Sequence, residues 1–486
     1  MFIEFGMPVP GRGSVRAFAA GHLGELTQII RPALVDEALE LTRRVQRRTR
    51  KLPARVTVYF VLALSLFGTD GYLGVWAALT AGLGGEDVAP SEAALRQARR
   101  RIGSAPLAIL FDRLKGPAAK ADCSGAWWRG LRTVAWDGTG LQIADTPETA
   151  GYFGRKISCH GPASYPALKL SALVECGTRA LIDVVFGPHD TPEPEQNAVL
   201  CRSLRPGMLV LADRASDGYP LMCKAVATGA DLLWRIQNNR SLAVIHTLPD
   251  GSYLSMVADV RGRDRLRYWA RHPRPVPPQV EGVAVRVIDA TVTATGADGS
   301  TRTGTLRLVT TLLDPDAYPA EELITLYHER WEAETAFYGL KVTLRGSGRI
   351  LRSRTVDGIR QELFGMLVVY QAARRIAADA AAETGIDPDR ISLTVPLRTA
   401  RLTVINATGT VPEHDARPPP RTRSAVLHPR ALGPARRQTR IWPRRIKRPI
   451  SPFAYNKSKW DKPMRKVTIT SEITPPTTLL TGRSGP

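Results

Sequence analysis

Residues Tyr327 to Lys341 read YHERWEAETAFYGLK. The stretch has helical composition, and its apolar spacing predicts a helix from about Ala320 to Val342. At 100° per residue, Tyr327, Arg330, Glu334 and Lys341 fall within an arc of about 60°. Glu329 and Glu332 fall on the far side. One acid, two cations and a phenol therefore share a stripe. Arg330 and Glu334, four residues apart, also qualify as an ordinary helix ion pair. That reading leaves Tyr327 and Lys341 on the stripe without a reason. Lys341 stands about 10 Å further along the axis than Glu334. It is too far to serve a metal beside Glu334, but it is placed to hold a phosphate a step or two along a nucleic-acid backbone.

Upstream, the texture from Trp127 to Gln237 alternates short strands and helices. LRTVAWDGTGLQIAD, ALKLSALVEC and ALIDVVFGP read as strands, and EQNAVLCRSL as a helix. GMLVLADR reads as a buried strand, YPLMCKAVATG as a helix and DLLWRIQ as a strand. The order β-β-β-α-β-α-β predicts an α/β domain with a mixed sheet. Two acids sit awkwardly in it. Asp137 lies in the first strand and Asp213 ends the apolar strand LVLAD. A carboxylate at the end of a buried strand costs free energy unless it is paired or binds a metal. Taken alone, each has an ordinary reading as well: Asp137-Gly138 as a turn pair, and Asp213-Arg214 as a local ion pair.

The pattern Y-x2-R-x3-E-x6-K, present here at all four positions, resembles the signature of the insertion-element-four family of bacterial DDE transposases. WDGT around Asp137 and LADR ending in Asp213 resemble that family's first and second catalytic aspartates. The stretch from GELT through RKLPARV and QARRRIG is similar to the N-terminal domain of one branch. The resemblance covers roughly residues 20 to 385. It implies a ribonuclease-H-like mixed sheet whose second Asp and Glu are separated by a β-rich insertion. It further implies that Asp137, Asp213 and Glu334 are catalytic and hold two Mg²⁺ ions, with Mn²⁺ able to substitute. Tyr327, Arg330 and Lys341 would contact DNA. The implied partners are double-stranded DNA, both element terminal inverted repeats and target, and a second copy of the chain in a synaptic dimer. The implied reaction cuts element ends and joins 3′ ends to target by two-metal phosphoryl transfer.

The remaining sequence accommodates this. Residues 1–115 read as a helical domain with two basic clusters: Arg43, Arg44, Arg47, Arg48, Arg50 and Lys51, then Arg96, Arg99, Arg100 and Arg101. Each reads either as a solvated helix face or as a DNA-docking surface. Ser91 is the expected N-cap of SEAALRQARRRIG. The catalytic core is expected over 127–237 and 315–385, with the β-rich insertion at 238–314. Residues 400–486 read as a basic, largely disordered Arg/Pro-rich tail. Trp234, with Arg235, reads two ways: beside the site, since its strand should lie next to that of Asp213, or, the stronger reading, as a core residue.

Charge supports the same partner. The 486 residues carry 67 Lys+Arg and 45 Asp+Glu, a net +22. From Arg401 onward there are 18 Lys+Arg and 4 Asp+Glu, so the tail holds most of the surplus. A basic excess of this size suits a phosphate-rich partner. The 43% hydrophobic content excludes a wholly disordered chain. Five cysteines without a C-x-x-C pair argue against a disulfide framework and for a reducing compartment. His160, His189, His246 and His328 lack metal-ligand spacing, and no phosphate-binding G-x-x-x-x-G-K-[ST] loop occurs. No signal peptide or membrane span is visible, so a cytoplasmic, nucleoid-associated setting is expected.

Overall fold

A computed structural model describes residues 21–406, apart from 47, 49–51, 84–88, 122, 124, 159–160, 241 and 273–275. It also describes 420–433 and 467–476. The chain divides into two compact units: Met1–Arg129, Trp136–Gln196 and Trp331–Leu432 in the first, and Gly130–Ala135, Asn197–Arg330 and Gly433–Pro486 in the second. The polypeptide thus passes from one unit to the other five times.

The first unit begins with helices α1 (Pro32–Leu41), α2 (Ala54–Leu66), α3 (Tyr72–Thr80), α4 (Glu92–Ile102) and α5 (Ala105–Leu114). The apolar run VTVYFVLALSLF forms most of α2, which is buried over eleven consecutive residues from Val56 to Leu66. A helix apolar all round belongs inside. Ser91 caps α4 as its sequence predicts, accepting the Ala94 amide hydrogen at 3.2 Å. The long helix Val356–Thr384, α12 in chain order, packs against α2 and α5.

Strand β1 (Leu131–Gln142) starts in the second unit and continues in the first from Trp136. The first unit then adds helix α6 (Pro147–Phe153) and the antiparallel hairpin β2 (Ala167–Glu175) with β3 (Leu181–Pro188), in the order β3-β2-β1. Helix α7 (Glu193–Leu200) follows. In the second unit β4 (Met208–Ala212) lies parallel to the start of β1, in register Ala135 to Leu211. After helix α8 (Tyr219–Val226), β5 (Asp231–Arg235) lies parallel to β4. The predicted strand–helix order is present, with α6 added between the first two strands. The fold class is the expected mixed α/β one.

The insertion is β-rich, with one exception. Strands β6 (Tyr253–Ala258), β7 (Gly282–Thr295) and β8 (Thr301–Thr310) pair antiparallel, and β8 joins β5. Between β6 and β7 stands a helix, α9 (Val260–Arg271), in a stretch without a helical signal of the usual kind. Its apolar residues are too few to show a stripe.

The segment expected as one helix from Ala320 to Val342 is broken. Helix α10 (Ala320–Leu326) passes into a 3₁₀ turn, Tyr327–Arg330; α11 (Trp331–Tyr338) follows, and then a π turn, Gly339–Leu344. Tightening and widening of successive turns breaks the uniform 100° spacing on which the stripe was drawn.

Beyond α12, α13 (Thr394–Ile405) and α14 (Pro420–Val426) belong to the first unit. Strand β9 (Thr468–Ile473) pairs with β7 over Ala290–Thr295 in the second. The expectation of a largely disordered tail falls, for 407–419, 434–466 and 477–486, outside the described residues.

Candidate active site

In the first unit, Asp137 sits within β1, half-buried, and its Oδ1 accepts its neighbour Gly138's amide hydrogen at 2.8 Å. The Asp-Gly pair is therefore extended strand, not a turn. Gly138 and the Glu193 side chain lie close: a Cβ at 138 would stand 2.7 Å from the Glu193 carboxylate, at the start of α7, and that carboxylate would have to shift. Nothing in the sequence pattern marked Glu193 as a neighbour of Asp137, since 56 residues separate them.

Glu334 is half-buried on α11, which packs against β2. The register of α11 is held by the acid two residues earlier. Glu332 is fully buried and takes a 2.8 Å hydrogen bond from Arg179 Nε. Arg179 also pairs with Asp389, and its carbonyl accepts the Tyr370 hydroxyl at 2.9 Å. Arg179 lies in the β2–β3 turn with φ 59°, a left-handed conformation that non-glycine residues avoid. A glycine would relieve that strain but supply no guanidinium to Glu332. On the ideal wheel Glu332 lay off the favoured stripe; in the fold its face is the one turned to the core.

The π turn after α11 carries Lys341, whose Nζ donates to Thr139 Oγ1 at 2.9 Å. Thr139 is two residues beyond Asp137 on β1, so this part of the signature is moored to the strand bearing the first aspartate.

In the second unit, Asp213 follows the last residue of β4. Its Oδ1 accepts the Ala215 amide hydrogen at 2.9 Å and caps the short turn Arg214–Ser216. Tyr327 donates its hydroxyl to the carbonyl of Ala212, the residue before Asp213, at 3.1 Å. Burial pushes the Tyr327 phenol up to about 12, opposed by Arg330 and Arg235. Arg330 is itself buried. The structure thus brings Asp213, Tyr327 and Arg330 together.

It adds Arg235, whose strand the sequence reading set beside that of Asp213. Arg235 ends β5, and its guanidinium is lowered first by burial; Tyr327 and Asp213 support its charge while Arg214 and Arg330 oppose it. Its buried Nε has no hydrogen-bond partner among the described residues. Strand alternation was the available signal: Trp234 is fully buried in the core, as expected, so its neighbour Arg235 must face the other way.

Among the basic clusters, Arg99 is neither solvated nor available for docking. Its guanidinium donates to Tyr72 at 2.8 Å, Ser353 at 2.6 Å and the Gly358 carbonyl at 3.1 Å, and also reaches Gln361. It ties α4 to the start of α12. Arg96, Arg100 and Arg101 are exposed, whereas Arg47, Arg50 and Lys51 lie outside the described residues.

The candidate metal-binding acids offer only carboxylate oxygens, the donor type that Mg²⁺ takes. Among the described residues, no group of three or more His, Cys, Asp or Glu is arranged to hold a metal ion. No helix among them is long and apolar enough to cross a membrane. No disulfide involves Cys123, Cys176, Cys201 or Cys223, and Cys159 lies outside the described residues.

The family model described as a transposase DDE domain matches residues 128–371, which is half of the chain. This chain belongs to the DDE transposases. A second model, the insertion element 4 transposase N-terminal domain, matches residues 20–112. The chain is also 26% identical over 354 residues to the transposase InsG for insertion sequence element IS4 of Escherichia coli strain K12, covering 72% of this chain and 76% of that one. A putative transposase InsZ of the same strain is 24% identical over 195 residues, 39% of this chain and 65% of that one. As a DDE transposase, the protein is a DNA-processing enzyme.

Proposed function

We propose that this transposase cuts the ends of an insertion element and joins their 3′ ends to target DNA, using Asp137, Asp213 and Glu334. The observation that carries the reading is the complete set Tyr327, Arg330, Glu334 and Lys341 in a chain whose two family matches are both to transposases. The register gives support. Asp137 and Asp213 each follow by two residues the last paired positions of the parallel strands, Ala135 and Leu211.

The three carboxylates would hold Mg²⁺, with Mn²⁺ able to replace it. Bound as a pair, such ions stabilise charge on the attacking and leaving oxygens of an in-line displacement. The protein's own groups do the rest. Arg330 presents a guanidinium to DNA phosphate near the scissile bond, and Tyr327 a phenol once its hydroxyl turns from the Ala212 carbonyl. Arg235 adds a second guanidinium on the same side. Lys341, moored at Thr139, supplies a point charge further along the backbone. The helical region to residue 115 contributes further DNA contacts. The working assembly is a homodimer holding two element ends.

The test is an Asp137→Asn variant assayed on duplexes carrying the terminal inverted repeats. Cleavage with Mg²⁺ or Mn²⁺ should disappear while binding persists. A wild type that binds those ends and cuts nothing overturns the catalytic reading. Cleavage without joined product on a target plasmid overturns the joining step alone.

A further inference from the structure

We propose that helix α9 of the insertion is a second DNA-contacting surface, apart from the candidate active site. It would lay Arg261, Arg265 and Arg271 along the phosphates of duplex DNA. The proposal rests on the chain acting on DNA, not on which residues are catalytic.

The helix is seated by one face only. Leu266 is buried in a cluster with Ala243 and Ala258, against which Ala270 and Val280 also pack. Gly262 allows the close approach, because a Cβ there would stand 2.4 Å from Val280 Cγ1 and 2.8 Å from the Ala258 side chain. Asp259 caps the start, its Oδ1 accepting the Gly262 amide hydrogen at 2.7 Å.

The opposite arc is exposed and basic. Five arginines and one aspartate occupy these twelve residues. Arg261, Arg265 and Arg271 are exposed and make no ion pair among the described residues. The single acid, Asp264, is shared by Arg263 at 3.4 Å and Arg267 at 3.9 Å. Arg261/Arg265, Arg263/Arg267 and Arg267/Arg271 are like-charge i,i+4 pairs, each of which works against the helix. The positive field is felt nearby: Arg240 is lowered by burial and then by Arg263. A solubilising surface would mix signs evenly; this one carries five cations to one acid.

The spacing suits a phosphate backbone. At 1.5 Å per residue, Arg261 to Arg265 spans about 6 Å and Arg265 to Arg271 about 9 Å, against one phosphate per about 3.4 Å on each strand. Tyr268 projects between these arginines, 61% exposed and stacked on His272 with ring centroids 4.5 Å apart. That stacked pair offers a flat apolar surface to deoxyribose. Guanidiniums laid along phosphates in this way bind without sequence preference.

The experiment compares the full-length protein with an Arg261→Gln/Arg265→Gln/Arg271→Gln variant on a duplex lacking element ends, from about 50 to about 200 mM salt. The slope of log K against log salt should be smaller by about 2 to 3, at roughly 0.9 for each phosphate no longer neutralised. An Arg→Lys version of the same triple should keep the wild-type slope, which separates charge from folding. An unchanged slope in the Gln variant overturns the proposal. So does loss of binding to anionic vesicles with the DNA slope intact. Asp137→Asn should retain the full slope. If the wild type cuts no end DNA but the Gln triple still lowers the slope, the catalytic reading falls and α9 stands.

Discussion

Helices α4 and α9 are both short and rich in arginine, yet they put their guanidiniums to opposite use. On α4, Arg99 turns inward and is held by Tyr72, Ser353, Gly358 and Gln361. On α9, Arg261, Arg265 and Arg271 turn outward and meet no acid among the described residues. The sequences EAALRQARRRI and VRGRDRLRYWAR do not announce this difference. The partners decide it. An arginine with its hydrogens satisfied by protein is part of the scaffold, whereas one left in water beside others of its sign is available to a phosphate.

The contrast can be strained where an inward guanidinium is most deeply committed. Arg179→Ala should cost about 3–5 kcal/mol in urea unfolding, because it strands the buried Glu332 carboxylate. Adding Glu332→Leu should recover much of that loss. A cost under about 1 kcal/mol would show that buried pairing is not what fixes α11.

A group other than arginine extends the comparison to pH. Tyr253 of β6 is buried, and burial pushes its phenol from 10.0 up to about 12. The unfolded chain releases this proton near 10 and the folded chain near 12. Stability is therefore full below about pH 10 and declines as pH rises to about 12, by roughly 2–3 kcal/mol at about 1.36 kcal/mol per unit. Tyr253→Phe should flatten that alkaline limb in unfolding curves taken at several pH values. An equally steep limb would place the titration elsewhere.

The two helices can then be set side by side. Arg99→Ala should cost about 2 kcal/mol, the scale of hydrogen bonds to a charged group. Arg263→Gln on α9 should change stability by less than about 0.5 kcal/mol, with a stabilising sign because like-charge repulsion is relieved. Equal costs at both positions would erase the distinction between them.

Much of this fold is legible in residue pattern alone. LVLAD, DLLWR and the other strands of the core carry apolar runs that a sheet must bury, so their order could be read. Two features hid for physical reasons. The helical wheel assumes a constant twist, and the change to 3₁₀ at Tyr327 and to π at Gly339 has no signature in the side chains. Helix α9 has only Leu266 and small residues on its seated face, so no apolar stripe betrays it between two strands. At the candidate site, the four signature residues and two aspartates stood out because each is chemically awkward in its setting. Glu193 and the Arg179–Glu332 pair did not, since their meaning lies in neighbours far along the chain.

The five passages of the chain between the two units carry a consequence for synthesis. The first unit needs residues 331–432 to finish, and the second needs β9, at 468–473, to cover the edge of β7. During translation neither unit can be completed before the residues after Arg330 have been made. A nascent chain would hold its strands as unfinished edges until late, and a prematurely terminated one would keep them so. Each unit of this transposase is thereby completed only by segments that follow residue 330, rather than domain by domain in chain order.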